Sequence, residues 1–174
     1  MNMIGQKEPA WRCTAYVDGQ EKAVSSDDFA GRWHVLYWYP LDFTFVCPTE
    51  IRGFQAMASA FADEETDVIG ASTDSFFSHK AWLEDRATFS EPITHPILAD
   101  TNHSVSRAFN VLKEDQGIAY RATVIVDDQG VIRSVSVNDL SVGRSPAEVL
   151  RTVQAFRSGG LCAADWKPGA KFVG

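Results

Sequence analysis

Trp33 to Tyr39 is apolar at every position except His34, a run suited to a strand covered on both faces. At Pro48 the period changes. Ile51, Phe54, Met57, Ala58 and Phe61 recur at spacings of three and four, which predicts a helix with one apolar stripe. Pro48 suits the first turn of that helix, where its missing N–H costs nothing. Downstream, Asp67 to Thr73 reads as a second buried strand, Phe76 to Arg86 as a helix, Pro96 to Asp100 as a short strand and Asn102 to Asn110 as a helix. Arg121 to Asp127 is a strand of β-branched residues that Asp128-Gln129-Gly130 turns into Val131 to Val137.

Upstream of these, residues 11–25 form two short extended segments around Asp18-Gly19, and Ser25-Ser26-Asp27-Asp28 can cap a brief helical turn before Gly31. Near the other end, Ser145-Pro146-Ala147-Glu148 is a capping box with proline at the first helical position. It opens a last helix through Phe156, with Val149, Leu150, Val153 and Phe156 expected on one face. After Ser158-Gly159-Gly160 the periodicity is lost, and a mobile tail is expected. Strands alternating with helices, then a hairpin and a helix, predict an α/β sandwich on a mixed sheet. The expected division is one domain over residues 1–158 with a C-terminal tail over 159–174.

Composition narrows the function classes. The chain has 174 residues, enough for one domain with a substantial core. Its 16 basic and 23 acidic residues give a net charge of −7, which argues against non-specific nucleic-acid binding or an anionic membrane surface. No 18-residue apolar run is present, and Met1 to Pro9 lacks the apolar segment of a signal peptide, so a cytoplasmic protein is expected. Cys13, Cys47 and Cys162 are too few and too scattered for a disulfide scaffold, and no Cys-x-x-Cys pair exists. In a reducing compartment, a lone cysteine in an activating setting points to catalysis or redox sensing.

Cys47 has such a setting. It stands between the strand ending at Tyr39 and the helix opening near Pro48, so its sulfur falls at a helix start, where free N–H groups and the positive dipole end favour an anion. The thiolate is the reactive form of cysteine. A free thiol is roughly 3% ionised at neutral pH, so full ionisation gains only about 30-fold, or about 2 kcal/mol. A fast catalyst therefore needs further groups that stabilise the transition state: the Thr44 hydroxyl, backbone N–H groups near Cys47, and arginines. Arg121 is conspicuous because it begins an otherwise apolar strand, where an unpaired charge is expensive.

The run Phe43-Thr44-Phe45-Val46-Cys47-Pro48-Thr49-Glu50, with Pro40 ahead of it, resembles the peroxidatic signature of the typical two-cysteine peroxiredoxins. His79-Lys80-Ala81-Trp82, Tyr120-Arg121-Ala122-Thr123, Val142-Gly143-Arg144-Ser145 and Leu161-Cys162 with Trp166 extend the resemblance over nearly the whole chain. Within that family it looks most like the bacterial alkyl hydroperoxide reductase C subunits. The resemblance implies a thioredoxin-like fold and a thiol peroxidase acting on hydrogen peroxide and small organic hydroperoxides. It implies Cys47 as the peroxidatic cysteine, with Arg121 and Thr44 activating it, Pro40 shielding it, Glu50 orienting the arginines and Arg144 in support. Cys162 is implied as the resolving cysteine, forming a disulfide with Cys47 of a partner subunit, for which the Cys47 turn must unwind. No cofactor or metal is implied. The implied partners are a thioredoxin-like or flavoprotein reductant and further copies of the chain, as a homodimer or a decamer.

Some positions depart from the family pattern: Ala163 and Ala164 follow Cys162 where other members carry proline or another cysteine. Cys13 reads as a spectator thiol, and Trp82 as packing. His34, His79, His95 and His103 show no metal-ligand spacing and receive no role. Two rival readings remain open at this point. A cysteine hydrolase would need a histidine base beside Cys47; a holdase chaperone would work through apolar surface of an oligomer.

Overall fold

The computed structural model describes residues 3–174. Strand β1 (Arg12–Val17) turns at Asp18 and Gly19, both at positive φ, into β2 (Gln20–Ser25), the hairpin that the dipeptide predicts. A 3₁₀ turn over Ser26–Phe29 follows, with Ser25 and Asp28 forming a capping box. Then come β3 (Trp33–Trp38), α1 (Cys47–Ala56), α2 (Ala58–Asp63), β4 (Thr66–Ser72), α3 (Phe76–Leu83), β5 (Ile97–Ala99) and α4 (Ser104–Ala108). A two-residue hairpin, β6 (Leu112–Lys113) and β7 (Ile118–Ala119), precedes β8 (Arg121–Val126), β9 (Ile132–Asn138) and α5 (Pro146–Arg157).

Seven strands form one sheet in the order β2-β1-β5-β4-β3-β8-β9. β3, β4 and β5 run parallel to one another, while every other pairing is antiparallel, so the sheet is mixed as expected. β3 lies inside it. Val35, Tyr37 and Tyr39 point to one face and pack with Cys47, Ile51, Phe54 and Val153. Leu36 and Trp38 point to the other and pack with Ile69, Val105 and Phe109. This period-two division of a continuously apolar run is what a strand buried on both faces requires.

Two expectations are corrected. The helix from Pro48 is not continuous: at Met57 the chain tightens, Met57 N–H donating to Phe54 O at 3.1 Å, and helical bonding resumes with Phe61 N–H to Met57 O at 3.0 Å. On α5, Val153 is fully buried and Val149 and Leu150 pack against the core, but Phe156 is 41% exposed and lies outside that core.

The crossing of α1 over α5 sets up the site. A Cβ on Gly53 would lie 2.9 Å from Pro146 Cγ, so only a glycine lets the two helices approach this closely. Residues beyond α5 form no helix or strand, in keeping with their lost periodicity. They are nonetheless tethered: Trp166 is 6% exposed and stacks on Phe172, Arg151 donates to Trp166 O at 3.0 Å, and Val173 N–H donates to Leu161 O at 2.9 Å.

Candidate active site

Cys47 is the first residue of α1, with Pro48 in the first turn, where the sequence pattern puts it. Its side chain is fully buried. Arg121, from the start of β8, donates from Nη1 to Cys47 Sγ at 3.3 Å and to Glu50 Oε2 at 2.7 Å. Its Nε donates to Leu140 O at 2.6 Å, which fixes the guanidinium in place. The sulfur thus sits between a helix start and a buried cation, an arrangement that favours negative charge on it.

Glu50, one turn along α1, is 2% exposed and binds two arginines. Its Oε1 accepts from both the backbone N–H and Nε of Arg144, each at 2.8 Å. Burial alone would push this carboxyl up; the hydrogen bonds and charge of Arg144, joined by the charge of Arg121, outweigh it and hold Glu50 below the usual carboxylate range. Arg144 also donates to Ala122 O and lies over the Tyr37 ring, 5.5 Å from guanidinium carbon to centroid. Of the expected site residues, the structure therefore brings Cys47, Glu50, Arg121 and Arg144 into one buried cluster.

Pro40 is buried at the head of the loop that ends at Cys47. Thr44 is placed differently from the expectation. Its hydroxyl donates to Leu41 O at 2.9 Å, inside the loop, and no hydrogen bond joins it to the sulfur. Nor does Thr44 cap α1, whose N-cap is Val46. Cys162 lies just past α5, half-buried, with Sγ close to Ala155 O at 3.6 Å and Gly160 O at 3.7 Å and no contact to Cys47. All three cysteines are free. Burial, with the Asp100 carboxylate adding to it, pushes the Cys13 thiol up to about 12.

The residues that sequence reasoning missed hold the loop itself. Asp42 is 6% exposed and accepts from Tyr39 Oη and Ser78 Oγ, each at 2.8 Å. His79 Nδ1 lies 2.8 Å from Asp42 Oδ2, and its Nε2 lies 3.1 Å from Leu98 O. A carbonyl only accepts, so Nε2 carries a proton, and Nδ1 shares a buried hydrogen bond with the Asp42 carboxyl. Asp42 N–H donates in turn to Asp74 Oδ2 at 2.9 Å. Burial, and then the Asp42 charge, raise Asp74 above the usual carboxylate range, and the same two causes keep Tyr39 firmly protonated. Phe43 sits in this loop at φ +55°, a strained conformation for a bulky residue, with its ring 5.7 Å from that of the buried Trp82. A signal was available: His79 falls three residues after Phe76 and four before Leu83, on the buried stripe of α3.

A second histidine lies behind the cluster. Burial lowers His95 to about 4, so the ring is neutral near pH 7. Burial also holds Tyr37 well above its ordinary value, so its hydroxyl donates to His95 Nε2 at 2.8 Å, and His95 Nδ1–H points at Gln55 Oε1, 3.3 Å away. None of the four histidines is hydrogen-bonded to Cys47, which removes the support for a hydrolase with a histidine base.

A mixed sheet flanked by helices, with a buried cysteine at a helix start and an arginine on its sulfur, defines a thioredoxin-like thiol enzyme. Residues 4–135 match the family model described as AhpC/TSA family. A thioredoxin peroxidase of Echinococcus granulosus is 45% identical over 175 residues, covering 97% of this chain and 91% of that protein. Peroxiredoxin-2 of Mus musculus is 47% identical over 176 residues, covering 98% and 89%. Among solved structures, the reduced 2-Cys peroxiredoxin of Plasmodium vivax superposes with a TM-score of 0.94 at 33% identity, covering 99% of this chain and 93% of that one. AhpC of Mycobacterium tuberculosis gives 0.86 at 37% identity, covering 96% and 99%. The chain belongs to the AhpC/TSA family.

Proposed function

We propose that this chain reduces hydrogen peroxide and small organic hydroperoxides through Cys47, as the family and its named relatives indicate. The observation that carries the residue assignment is the Arg121 guanidinium, bound at once to Cys47 Sγ and to Glu50. The thiolate attacks one peroxide oxygen; the S–O bond forms, the O–O bond breaks, and the departing hydroxide or alkoxide takes a proton and leaves as water or alcohol. The sulfur, oxidised by two electrons, is then a sulfenic acid. Arg121 is suited to both ends of this step, since it pairs with the anion beforehand and can donate to oxygen as charge moves there. Glu50 and Arg144 act through Arg121 by fixing where it points. Pro40 and the Asp42–His79 network hold the loop that shields the sulfur from water.

In the second step the Cys162 thiol attacks the sulfenic sulfur, giving a Cys47–Cys162 disulfide and water, which a dithiol protein of the thioredoxin type or a flavoprotein reductase then reduces. The buried Cys47 and a Cys162 held near Ala155 and Gly160 have to leave their present places to reach disulfide geometry. We assign the disulfide to two copies of the chain in a homodimer, with decamers built from dimers, in a cytoplasmic setting that keeps the reductant supplied. The exposed rings of Phe43, Phe45 and Phe77, at 63%, 94% and 74% exposure, fit further assembly and leave a holdase role as a secondary activity of the oligomer.

The deciding experiment is non-reducing mass analysis after one equivalent of hydrogen peroxide. The expected product is a Cys47–Cys162 disulfide that crosses two chains. A disulfide involving Cys13, or Cys47 left as an unpaired thiol, would overturn the assignment.

A further inference from the structure

Tyr37 is fully buried on β3, and the Arg144 guanidinium lies over its ring, 5.5 Å from carbon to centroid. Arg144 Nη2 has no hydrogen-bond partner among the described residues, so the negative face of the ring supports that charge alongside Glu50 and Ala122 O. The charges of Arg144, Glu50 and Cys47 all bear on the Tyr37 hydroxyl, which places the residue against the site without making it a partner of the sulfur.

The ring itself is firmly held. It stacks on Phe54 with centroids 4.1 Å apart and planes 15° apart. Gly70 leaves it room, since a Cβ there would lie 2.8 Å from Tyr37 Oη and 2.5 Å from Ile97 Cδ1. The hydroxyl donates to His95 Nε2 at 2.8 Å, and His95 Nδ1–H points at Gln55 Oε1 on α1, the helix that Cys47 opens. A ring needed only for packing does not call for such a chain, because an apolar pair of the same shape would fill the space at little cost in stability.

What the held ring does follows from how Glu50 is shared. Arg144 occupies Glu50 Oε1 through both its backbone N–H and Nε, which leaves Oε2 for Arg121. Arg121 Nη1 is thereby divided between one carboxylate oxygen at 2.7 Å and Cys47 Sγ at 3.3 Å. Were the Arg144 guanidinium to drift, Oε1 would lose a donor and open to Arg121. A carboxylate that engages an arginine through both oxygens would turn its fork away from the sulfur. We propose that Tyr37 is a positioning residue for the peroxide step: its ring keeps Arg144 on Glu50, and so keeps Arg121 turned to Cys47. The proposal rests on the peroxidase reading for the step that Tyr37 serves, and on the geometry alone for how it serves it.

The test compares Tyr37→Phe, which keeps the ring and loses the hydroxyl, with Tyr37→Leu, which loses both. Each is read for the second-order rate constant with hydrogen peroxide, the pH at which Cys47 alkylation by iodoacetamide is half-maximal, and urea stability. Tyr37→Leu is expected to slow the peroxide reaction about tenfold, less than the 10²–10³ that one lost preorganised donor costs, because Arg121 itself remains. Its alkylation midpoint should move to higher pH. Tyr37→Phe should lose stability, because His95 Nε2 loses its donor, and yet stay within about threefold in rate with its midpoint unmoved. Should Tyr37→Leu fail to fold, replacing Tyr37 by pentafluorophenylalanine keeps the ring's shape and removes its negative face, and the same rate loss and midpoint shift are expected. The proposal is overturned if both variants lose rate in step with lost stability, or if loss of the ring face changes neither rate nor midpoint. An unaltered chain that reacts with peroxide no faster than free cysteine would end the peroxidase reading alone, and the alkylation midpoints would still decide the role of Tyr37.

Discussion

Replacing Arg121 by glutamine removes the cation that contacts the sulfur while leaving a polar side chain of moderate size. At the observed 3.3 Å separation the gross attraction between a guanidinium nitrogen and a thiolate is about 5 kcal/mol for an effective dielectric of about 20. Desolvation cancels part of it, and losing one preorganised donor in comparable sites costs about 2.7–4 kcal/mol of transition-state stabilisation, a factor of 10²–10³ in rate. Stability should suffer less, because Glu50 keeps two hydrogen bonds from Arg144 and is not left without a partner. The expected stability loss is about 1–3 kcal/mol, from the lost bonds to Glu50 and Leu140. Stopped-flow measurement of the second-order rate constant with hydrogen peroxide, beside urea unfolding of the same samples, separates the two effects. Arg121→Lys, which restores charge without the fork that bridges sulfur and carboxylate, should recover part of the rate and not all of it. A folded Arg121→Gln variant reacting within threefold of the unaltered protein would refute the reasoning.

Three other outcomes follow from the buried groups. Asp42→Ala leaves the buried His79 and Tyr39 without their hydrogen-bond partner and should cost about 1–3 kcal/mol for each in urea unfolding; a total loss under about 1 kcal/mol would show that the loop is held by other means. His95 has its pKa depressed from 6.5 to about 4 by burial, so below pH 6.5 the unfolded chain binds a proton that the folded chain refuses. Its contribution is present above about pH 6.5 and is lost as pH falls toward 4, by roughly 3 kcal/mol in all, so unfolding should be less acid-sensitive in His95→Gln; equal pH slopes would contradict this. Cys13, pushed up to about 12, should stay unlabelled by iodoacetamide at pH 7 in the native reduced protein while Cys47 is labelled, and equal labelling of the two would count against the assignment.

Much of this architecture was legible because single residues carry strong local signals. The run from Trp33 to Tyr39 could only be a doubly covered strand, Asp18-Gly19 could only turn, and Ser145-Pro146 marked the start of α5 within a residue. The thiol site was legible in part from the residues themselves, Cys47 at a helix start and Arg121 opening an apolar strand, while Glu50 and Arg144 entered only through the family resemblance. What remained hidden depends on partners distant in the chain. Thr44 looked ready to serve the sulfur, but the path of the loop turned its hydroxyl to Leu41. His79 looked idle because its partners, Asp42 and Leu98, lie 37 residues before it and 19 after it. The tail looked free because nothing near Trp166 in sequence announces the Arg151 contact that ties it down. Phe156 fell on the predicted stripe, but the core beneath α5 is already filled by Val149, Leu150 and Val153.

The central claim is that one sulfur, at the start of α1 and under Arg121, receives the oxygen. Exposing the reduced protein briefly to one equivalent of hydrogen peroxide in the presence of a sulfenic-acid probe, then mapping the adduct by mass, tests it directly. The account predicts the adduct on Cys47, with Cys13 untouched, and an increase in trapped adduct when Cys162 is replaced by serine. An adduct confined to Cys13 or Cys162, or a Cys47 thiol recovered unmodified while peroxide is consumed, would contradict it.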